Sequence, residues 1–448
     1  MDFLDLKRAR ALADGLETVE AVDSNECLHF RPLSHSHVSE VNEKGLEGVG
    51  DFGPLMSHQI YGQDELIRGY VNPRVDIYLS PMFLPYVQTS YESRVSDDGI
   101  ATTDLVKPLK EAFGESTLQL EREAFFEKMR EEEKLGLQME DLGERVLTRT
   151  IEKDGKQSTL GIFQSTLADA SETVKKLHAR IEPLLLFFID CAAAIDAEDP
   201  SWEVFLVTLQ DEDGNIEIVG MCTVYVFYVY PDKKRFRVAQ VFVLPNQQGK
   251  GIGSAIVDAV FEVAKNKGVV DITLEDPTDD FRRIRDRKDL HEMLTQDWIV
   301  SMAKDALGSL VSKASTPNPL SAPTEAIDRL CSTLMMNKKQ AQRMWESLLY
   351  KVASDMGNEA TAAVEGYIAK TLEEMFVGGA KDDSENKVVV DTPTGFVMYK
   401  SKTKMTIPGN IPPVEEVTRE QQRATLADYV AGRVAEIQRL LGLSVDQH

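Results

Sequence analysis

The fold is indicated most clearly by residues 235–274, RFRVAQVFVLPNQQGKGIGSAIVDAVFEVAKNKGVVDITL. This stretch starts with a run of β-branched and aromatic residues over 235–244, which is typical of a strand. A glycine-rich loop over 245–254 then opens an amphipathic helix, which Gly268 closes. A second short apolar run over 269–274 predicts another strand. The order strand, loop, helix, strand is a βαβ unit, so we expect these two strands to be parallel neighbours.

The amino-terminal part of the chain mixes short strand patterns with turns. Strands are expected at 27–31 and 75–79, and a hairpin with strands at 145–151 and 158–164 is expected around an Asp-Gly turn. Residues 118–135 carry apolar residues at helical spacing among many charges, which favours a solvated amphipathic helix.

The rest of the chain changes from a mixed to a helical pattern. From Ser171 the apolar spacing is helical as far as Ile195, and Pro183 is expected either to kink this helix or to mark the restart of a second one. Strand patterns follow between residues 202 and 244, and after Phe281 the pattern is almost wholly helical. The last hundred residues predict a mobile linker near 378–386, a hairpin at 387–399 and a long helix at 414–441.

The composition indicates a folded, acidic protein. The 448 residues are 42% hydrophobic and 28% charged, which is close to the averages for globular proteins. At roughly 100–200 residues per domain, this length predicts two or three domains. The 74 acidic and 50 basic residues give a net charge of −24, which disfavours direct binding to nucleic acid and favours a basic protein or peptide as partner.

Cysteines, histidines and apolar runs set further expectations. The four cysteines are Cys27, Cys191, Cys222 and Cys331. Because they stand far apart without a Cys-x-x-Cys pair, we interpret them as reduced core thiols of an intracellular protein. No metal site is expected, because His35 and His37 lie in a serine-rich stretch without further ligands nearby. No apolar run is long enough for a signal peptide or a membrane span.

Three glycines at alternate positions, Gly249, Gly251 and Gly253, connect the first strand of the βαβ unit to its helix. Such a loop brings backbone N–H groups together at a helix amino terminus, where the helix dipole favours a phosphate group. The alternative is a tight turn that needs small residues. The spacing differs from the dinucleotide-binding G-x-G-x-x-G, and the loop lacks the G-K-[ST] ending of a P-loop.

In this loop the chain resembles the GNAT acetyltransferases. Their motif of Gln or Arg, two residues, Gly, one residue, and Gly or Ala is matched by Gln248, Gly251 and Gly253. Further blocks narrow the resemblance to the family of type B histone acetyltransferase catalytic subunits. These blocks are Tyr225, residues 229–233 (VYPDK), Arg237 with Val238, Gln240, residues 271–273 (DIT), residues 275–277 (EDP), residues 58–65 (HQIYGQDE), and residues 337–341 (NKKQA) with Arg343.

The resemblance implies an α/β (α+β) architecture in three parts. An amino-terminal α+β domain over 1–170 would contact a histone tail, a mixed GNAT sheet would occupy 171–300, and a helical carboxy-terminal domain would occupy 301–448. It also implies acetyl-coenzyme A as co-substrate. Its pantetheine arm would lie beside the backbone of Val241, Phe242 and Val243, which otherwise are plain sheet core. Its pyrophosphate would lie on Gln248, Gly249, Lys250, Gly251, Ile252, Gly253 and Ser254, although Lys250 alone suits a solvated loop equally well.

Three acids are candidates for the chemistry. A lysine ammonium has a pKa of about 10.4 and must lose a proton before it attacks a thioester, so a nearby carboxylate is useful. Glu275, at the end of the second strand, matches the general base of the family, and its alternative is a solvated acid before Pro277. Asp276 could share the role. Asp190 matches another family acid but is one methylene shorter, and a polar position on a helix suits it as well.

Substrate contacts follow from the resemblance more than from the residues. The acidic block Gln63, Asp64 and Glu65, together with Trp202, Tyr225, Val226 and Phe227, matches regions that hold the histone four tail in the family. Acids attract a lysine-rich tail, and aromatic faces can flank a lysine side chain. The alternatives are a solvated turn and core packing. Gln63 and Val226 depart from the acidic and polar residues that the family uses.

The function that the resemblance implies is acetyl transfer from acetyl-coenzyme A to a lysine of free, newly made histone four, by direct attack in a ternary complex. The alternatives are a GNAT enzyme for another protein or a small amine, and a non-catalytic histone carrier. A histone-binding WD-repeat escort subunit, and locations in the nucleus and the cytoplasm, are further expectations of the resemblance. No cysteine stands in the motif to carry an acyl group.

Overall fold

The structure is a computed structural model, and it describes residues 21–34, 46, 49–95, 101–153, 156–311, 320–377, 387–392, 395–400 and 419–442. The chain divides into two compact units, residues 1–284 and residues 285–448.

The amino-terminal part of the first unit is built from short strands and helices. Its elements are β1 (Ala21–Asp23), α1 (Ser24–Cys27), β2 (Leu28–Pro32), α2 (His58–Tyr61), β3 (Leu66–Arg68), β4 (Tyr70–Val71), β5 (Arg74–Leu79), β6 (Pro85–Ser90), β7 (Ser93–Arg94), α3 (Lys107–Phe113) and α4 (Arg122–Leu135). β2, β5 and β6 form a three-stranded sheet in which β2 and β5 are parallel. The two strands and the amphipathic helix predicted from the sequence in this part are β2, β5 and α4.

A mixed six-stranded sheet follows in the same unit. Its elements are β8 (Glu144–Lys153), β9 (Lys156–Thr166), α5 (Glu172–Leu185), β10 (Trp202–Gln210), β11 (Ile216–Val229), β12 (Lys233–Val243), α6 (Ile252–Asn266) and β13 (Val269–Leu274). The strand order is β13-β12-β11-β10-β9-β8. β12 and β13 are parallel and the other neighbours are antiparallel, so the predicted βαβ unit and the predicted mixed sheet are both confirmed.

Helix α5 ends ten residues earlier than its apolar spacing predicts. Ser171 is its N-cap, with a hydroxyl that accepts the N–H of Val174, and the helix ends at Leu185 rather than Ile195. The carbonyl of Phe187 accepts hydrogen bonds from two amides of another segment, Leu55 and Met56, instead of continuing a helix. The apolar spacing beyond Leu185 is therefore that of a loop packed on the core, and the prediction that the helical segment extends to Ile195 is wrong.

One core joins the parts of the first unit that the sequence assigned to separate domains. Its buried side chains run from Cys27 to Leu244 and include residues of β2, α3, α5 and β10. Two strands of the six-stranded sheet, β8 and β9, lie before residue 171. The two compact units therefore differ from the predicted division at 170 and 300, because the sheet and its core extend across the first boundary.

The second unit is mainly helical, as predicted. Its described elements are α7 (Asp279–Leu294, whose first turns belong to the first unit), α8 (Asp297–Val311), α9 (Thr324–Leu334), α10 (Lys338–Met356), α11 (Asn358–Val377), β14 (Lys387–Thr392), β15 (Gly395–Lys400) and α12 (Arg419–Leu441). β14 and β15 form the predicted hairpin. The predicted linker at 378–386 and the predicted start of the last helix at 414–418 lie outside the described residues. Within the described ranges, no helix is long and apolar enough to cross a membrane.

Candidate active site

The site is built where β12 and β13 separate. β12 carries one extra residue, Ala239, because Thr223 pairs with Gln240 while the next residue of β11 pairs with Val238. The parallel pairing with β13 ends at Val238, whose carbonyl accepts the N–H of Glu275 at 2.9 Å. β12 then continues to Val243 while β13 has ended. One edge of β12 is thus left without β13 as a neighbour from Ala239 onward.

The backbone phase of β12 directs two peptide units into this opening. The N–H of Leu244 donates to the carbonyl of Val219 in β11 at 2.9 Å. Because successive residues of an antiparallel strand point their backbone groups to opposite sides, the N–H and C=O groups of Val241 and Val243 point away from β11. The Gln248 side chain donates to the Val243 carbonyl at 3.0 Å. Phe242, between them, is buried in the core. The geometry therefore fits the expected strand-like pairing of a pantetheine arm with this edge.

The glycine loop leaves room for an anion at the start of α6. Gly249 and Gly251 have φ values of +75° and +78°, and a Cβ at either position would meet no atom within 4 Å. Gly251 caps the helix, and the first bond of the helical ladder joins the N–H of Ala255 to its carbonyl at 3.0 Å. The left-handed conformation explains the need for glycine at these positions.

Three amides at the beginning of α6 precede that first ladder bond, those of Ile252, Gly253 and Ser254. The side chain of Ile252 is buried, so this residue can offer only its backbone. A Cβ on Gly253 would lie 3.0 Å from Ile284, which makes close packing the reason for that glycine. Lys250 contacts the Gln247 side chain. The open amides and the open space at Gly251 fit a pyrophosphate group.

Two predicted acids lie at the same opening. Glu275 and Asp276 are exposed directly after β13, and Asp276 has a φ of +33°. Asp190 follows α5 and accepts the thiol of Cys191 at 3.5 Å. This hydrogen bond, together with the charges of Asp190 and Asp276, raises the pKa of the Cys191 thiol. The structure therefore brings Asp190 and Asp276 close to one thiol, although 86 residues of sequence separate them.

Glu275 and the predicted aromatic contacts share a face of the sheet. Arg237 pairs with Tyr225 on one side and with Thr273 on the other, and Glu275 follows Thr273 at the two-residue period of a strand. Gln240 of the same face donates to the carbonyl of Ala193 at 3.0 Å, in the loop that begins at Asp190. Glu275 and the Asp190 loop are thus on the same side of the sheet.

Three of the predicted substrate residues form an aromatic cluster on this face. The rings of Trp202 and Tyr225 lie 4.9 Å apart, those of Tyr225 and Phe227 lie 4.7 Å apart, and the Arg237 guanidinium lies 4.7 Å above Phe227. All three rings are partly exposed. Val226 alternates to the opposite face, where it pairs with the buried Phe236, so its side chain is not part of this cluster and its contact with a histone tail stays a prediction.

The acidic block is only partly available to a partner. Gln63 and Asp64 are exposed, and Asp64 pairs with Arg68 at 2.5 Å. Glu65 is only 8% exposed, and its carboxylate accepts the N–H groups of Ser57 and His58 at 2.7 and 3.2 Å. Glu65 therefore caps helix α2, and the structure corrects the expectation that it is a solvent-facing acid.

Three contacts around Asp190 were missed by sequence reasoning. His58 Nε2 lies 3.3 Å from Asp190 Oδ1, the Gln59 side chain donates to the Ala192 carbonyl at 2.9 Å, and the Gln240 side chain donates to the Ala193 carbonyl. Residues 58 and 59 stand more than 130 positions before this loop, so no local pattern links them. The one available signal was their position in the block that resembles the family.

The remaining predictions on cysteines and metals have mixed outcomes. Burial raises the pKa of Cys27 to about 12 and raises that of Cys222, as expected for core thiols. Cys191 is exposed, which corrects its assignment to the core. His35 and His37 lie outside the described residues. Among the residues that are described, no group of three His, Cys, Asp or Glu side chains could hold a metal ion.

Comparisons with known proteins agree with this geometry. Residues 20–190 match the family described as "Histone acetyl transferase HAT1 N-terminus", and residues 172–285 match the "Acetyltransferase (GNAT) family".

Three similar proteins each carry the name histone acetyltransferase type B catalytic subunit. The protein from Arabidopsis thaliana is 29% identical over 93% of this chain and 90% of its own length. The one from Zea mays is 26% identical over 85% of this chain and 80% of its own, and the one from Schizosaccharomyces pombe is 29% identical over 62% and 71%. With the open strand edge, the glycine loop and the acids at the opening, these likenesses assign acetyl-coenzyme A as co-substrate. The chain carries a GNAT acetyltransferase domain and is similar over most of its length to the histone acetyltransferase type B catalytic subunits.

Proposed function

We propose that this enzyme acetylates lysines in the amino-terminal tail of free histone four. The observation that carries the proposal is the shared face of the sheet, on which Glu275, the Asp190 loop and the aromatic cluster of Trp202, Tyr225 and Phe227 lie beside the open edge of β12. An extended lysine side chain suits a surface lined by aromatic rings that leads to carboxylates. The names of the related proteins support a histone as the protein that carries this lysine.

In the proposed mechanism, Glu275 takes the proton of the lysine ammonium. The bound co-substrate supplies an acetyl thioester, and the amine attacks its carbonyl carbon so that the new C–N bond forms as the C–S bond breaks. Coenzyme A leaves as a thiolate, which takes up the second proton that the nitrogen loses as the amide forms. The Glu275 backbone N–H is fixed to Val238, while its side chain is exposed and able to reach an incoming amine. Asp190 and Asp276 add negative charge that attracts the ammonium. General base catalysis of this kind contributes about 10²–10⁴-fold to the rate.

Direct attack is supported by the state of the thiol at the site. Cys191 is close to Asp190 and Asp276, but the hydrogen bond and charge of Asp190 raise its pKa. A thiol must ionise to act as a nucleophile, so this environment disfavours an acetyl-cysteine intermediate. Transfer from co-substrate to lysine in one ternary complex is the simpler route.

The net charge of −24 and the exposed Asp64 support a basic tail as partner. A WD-repeat escort subunit and a distribution between nucleus and cytoplasm are proposed from the family resemblance alone.

The experiment that tests this function is acetylation of a mixture of free histones, followed by mass spectrometry of the modified lysines. We expect the modification to concentrate on the amino-terminal tail of histone four. Equal labelling of all histones, or a preference for a small amine such as spermidine, would instead favour a GNAT enzyme with another acceptor. A protein that binds histones and transfers no acetyl group would be a carrier.

A further inference from the structure

We propose that His58 is a positioning residue that holds the Asp190 carboxylate at the lysine site. The inference rests on the proposed function, because it gives Asp190 a role in receiving the lysine ammonium. Its physical basis is a contact chain from a buried acid, Glu65, through His58 to the exposed Asp190.

The His58 ring stands between two carboxylates. Its Nε2 lies 3.3 Å from Asp190 Oδ1, and its Nδ1 lies 3.8 Å from Glu65 Oε1. The ring is 21% exposed, whereas the Asp190 side chain is 69% exposed. An exposed carboxylate without such a contact samples several rotamers, so the imidazole can select the one that faces the opening.

The main chain under both residues is fixed independently. Glu65 accepts the N–H groups of Ser57 and His58, which anchors the first turn of α2. The Asp190 loop is anchored through its carbonyls at Ala192 and Ala193, which accept from Gln59 and Gln240. These bonds support the left-handed conformation of Cys191, whose φ is +56°. With the backbones held, the His58–Asp190 contact decides where the carboxylate points.

The position of Asp190 can also be measured without any substrate, through the reactivity of the Cys191 thiol. Asp190 Oδ1 is the atom that both His58 Nε2 and the Cys191 thiol approach, at 3.3 and 3.5 Å. If His58 releases the carboxylate, the thiol loses its hydrogen bond. The rate at which iodoacetamide alkylates Cys191 therefore measures the position of Asp190 in the absence of any acetyl transfer.

The test is a double-mutant cycle with His58→Phe and Asp190→Asn in the full chain. His58→Phe keeps the ring but removes the donor, and we expect it to lower kcat for a histone four tail peptide on the order of tenfold while the KM for acetyl-coenzyme A stays unchanged. His58→Gln, whose amide can replace Nε2, should restore most of the activity. In the Asp190→Asn background, His58→Phe should have no further effect.

Alkylation of Cys191, read by mass spectrometry at that residue, completes the test. We expect His58→Phe and Asp190→Asn each to accelerate it several-fold, the double variant to match Asp190→Asn, and His58→Gln to resemble the wild type. A matched control is His29→Phe, since His29 of β2 forms a similar pair, with its Nδ1 2.7 Å from Asp51 Oδ2. It should change neither readout.

The outcomes separate this inference from the proposed function. If the wild type acetylates no histone tail, the proposed function fails, and the alkylation cycle still decides whether His58 holds Asp190. If His58→Phe alkylates at the wild-type rate, or if its effects on alkylation and kcat persist fully in Asp190→Asn, His58 does not act through Asp190 and the inference is overturned. Equal loss of activity in the Phe and Gln variants, with a matching fall in Tm, would show a merely structural role and would also overturn it.

Discussion

Glu275 is fixed by its main chain and free at its side chain. The N–H of Glu275 donates to Val238 where β12 and β13 part, and the carboxylate is exposed at the opening. A change at the side chain alone therefore leaves the junction of the two strands intact. This makes the residue suited to a substitution that tests chemistry rather than folding.

Glu275→Gln should lower turnover by about a hundredfold or more at pH 7, because an amide cannot accept the lysine proton. Affinity for acetyl-coenzyme A should stay unchanged, since the open edge of β12 and the glycine loop are untouched. Part of the activity should return above about pH 9, where more of the lysine, with its pKa of about 10.4, is unprotonated. Steady-state kinetics with a histone four tail peptide measure this, with Asp276→Asn as the matched variant. If Glu275→Gln kept the wild-type turnover and Asp276→Asn lost turnover, Asp276 would be the general base instead.

The acidic block divides into one residue for the partner and one for the fold. Asp64→Asn should raise the KM for the tail peptide several-fold at low salt and leave kcat nearly unchanged, because it removes an exposed charge from ground-state binding and leaves Arg68 unpaired. Glu65→Ala should instead lower the unfolding free energy by about 1 kcal/mol, as the loss of a helix cap does. Peptide kinetics and urea unfolding of the two single variants separate these effects. A change in KM without any loss of stability in Glu65→Ala would contradict the capping role.

At the scale of elements, the βαβ unit was predictable because each of its signals is local. The strand runs, the glycine loop and the helical spacing lie within 40 consecutive residues, and the structure matches them closely. The end of α5 was not predictable, because Phe187 leaves the helix for partners at Leu55 and Met56, more than 130 positions away. The spacing of apolar residues indicates which side chains are buried, and the side chains of a loop packed on the core are buried just as those on the inner face of a helix are.

The glycine loop and the far end of the same helix form a matched pair for mutation. Gly251 and Gly268 both have positive φ, +78° and +63°, and both have open space around a Cβ. Gly251→Glu should abolish binding of acetyl-coenzyme A, because a carboxylate would meet the pyrophosphate at the helix amino terminus. Gly268→Glu carries a similar strain and the same charge but lies at the other end of α6, so it should bind normally. Calorimetry measures the affinity of both variants for acetyl-coenzyme A. Equal affinities would show that the glycine loop does not bind the co-substrate.

Helix α5 carries a buried histidine that makes the first unit sensitive to acid. His178 is 3% exposed, and burial lowers its pKa from 6.5 to about 4. The folded chain keeps this imidazole neutral, whereas the unfolded chain binds a proton below pH 6.5. The stability associated with His178 is therefore complete above that pH and is lost as the pH falls toward 4.

Between pH 7 and pH 5 this loss amounts to about 2 kcal/mol. Urea unfolding at the two pH values should show the loss in the wild type and a correspondingly smaller one in His178→Gln. The variant keeps the neighbouring Glu182, whose pKa burial raises, so the difference between the proteins isolates the histidine. An equal dependence on pH in both proteins would contradict this account.

At the scale of the whole molecule, the site depends on contacts between distant parts of the chain. Asp190 contacts His58 from the amino-terminal part, and the charge of Asp276, after the end of β13, acts on the adjacent Cys191 thiol. The family resemblance was enough to name Asp190 and Asp276 as acids of the lysine site, but the sequence could not identify His58 as the neighbour of Asp190. For the same reason it divided the first unit at residue 170, although one core spans that position.

In the proposed mechanism, acetyl-coenzyme A and a histone-tail lysine meet in one ternary complex at the opening between β12 and β13. The most direct measurement is the Kd of a conjugate in which coenzyme A is linked through a short carbonyl-containing spacer to one lysine of a histone four tail peptide. We expect this conjugate to bind on the order of a hundredfold more tightly than coenzyme A alone, because the second group binds intramolecularly. A conjugate with a neutral peptide of scrambled sequence should lose most of that gain. A histone four conjugate that binds no more tightly than coenzyme A would contradict the claim.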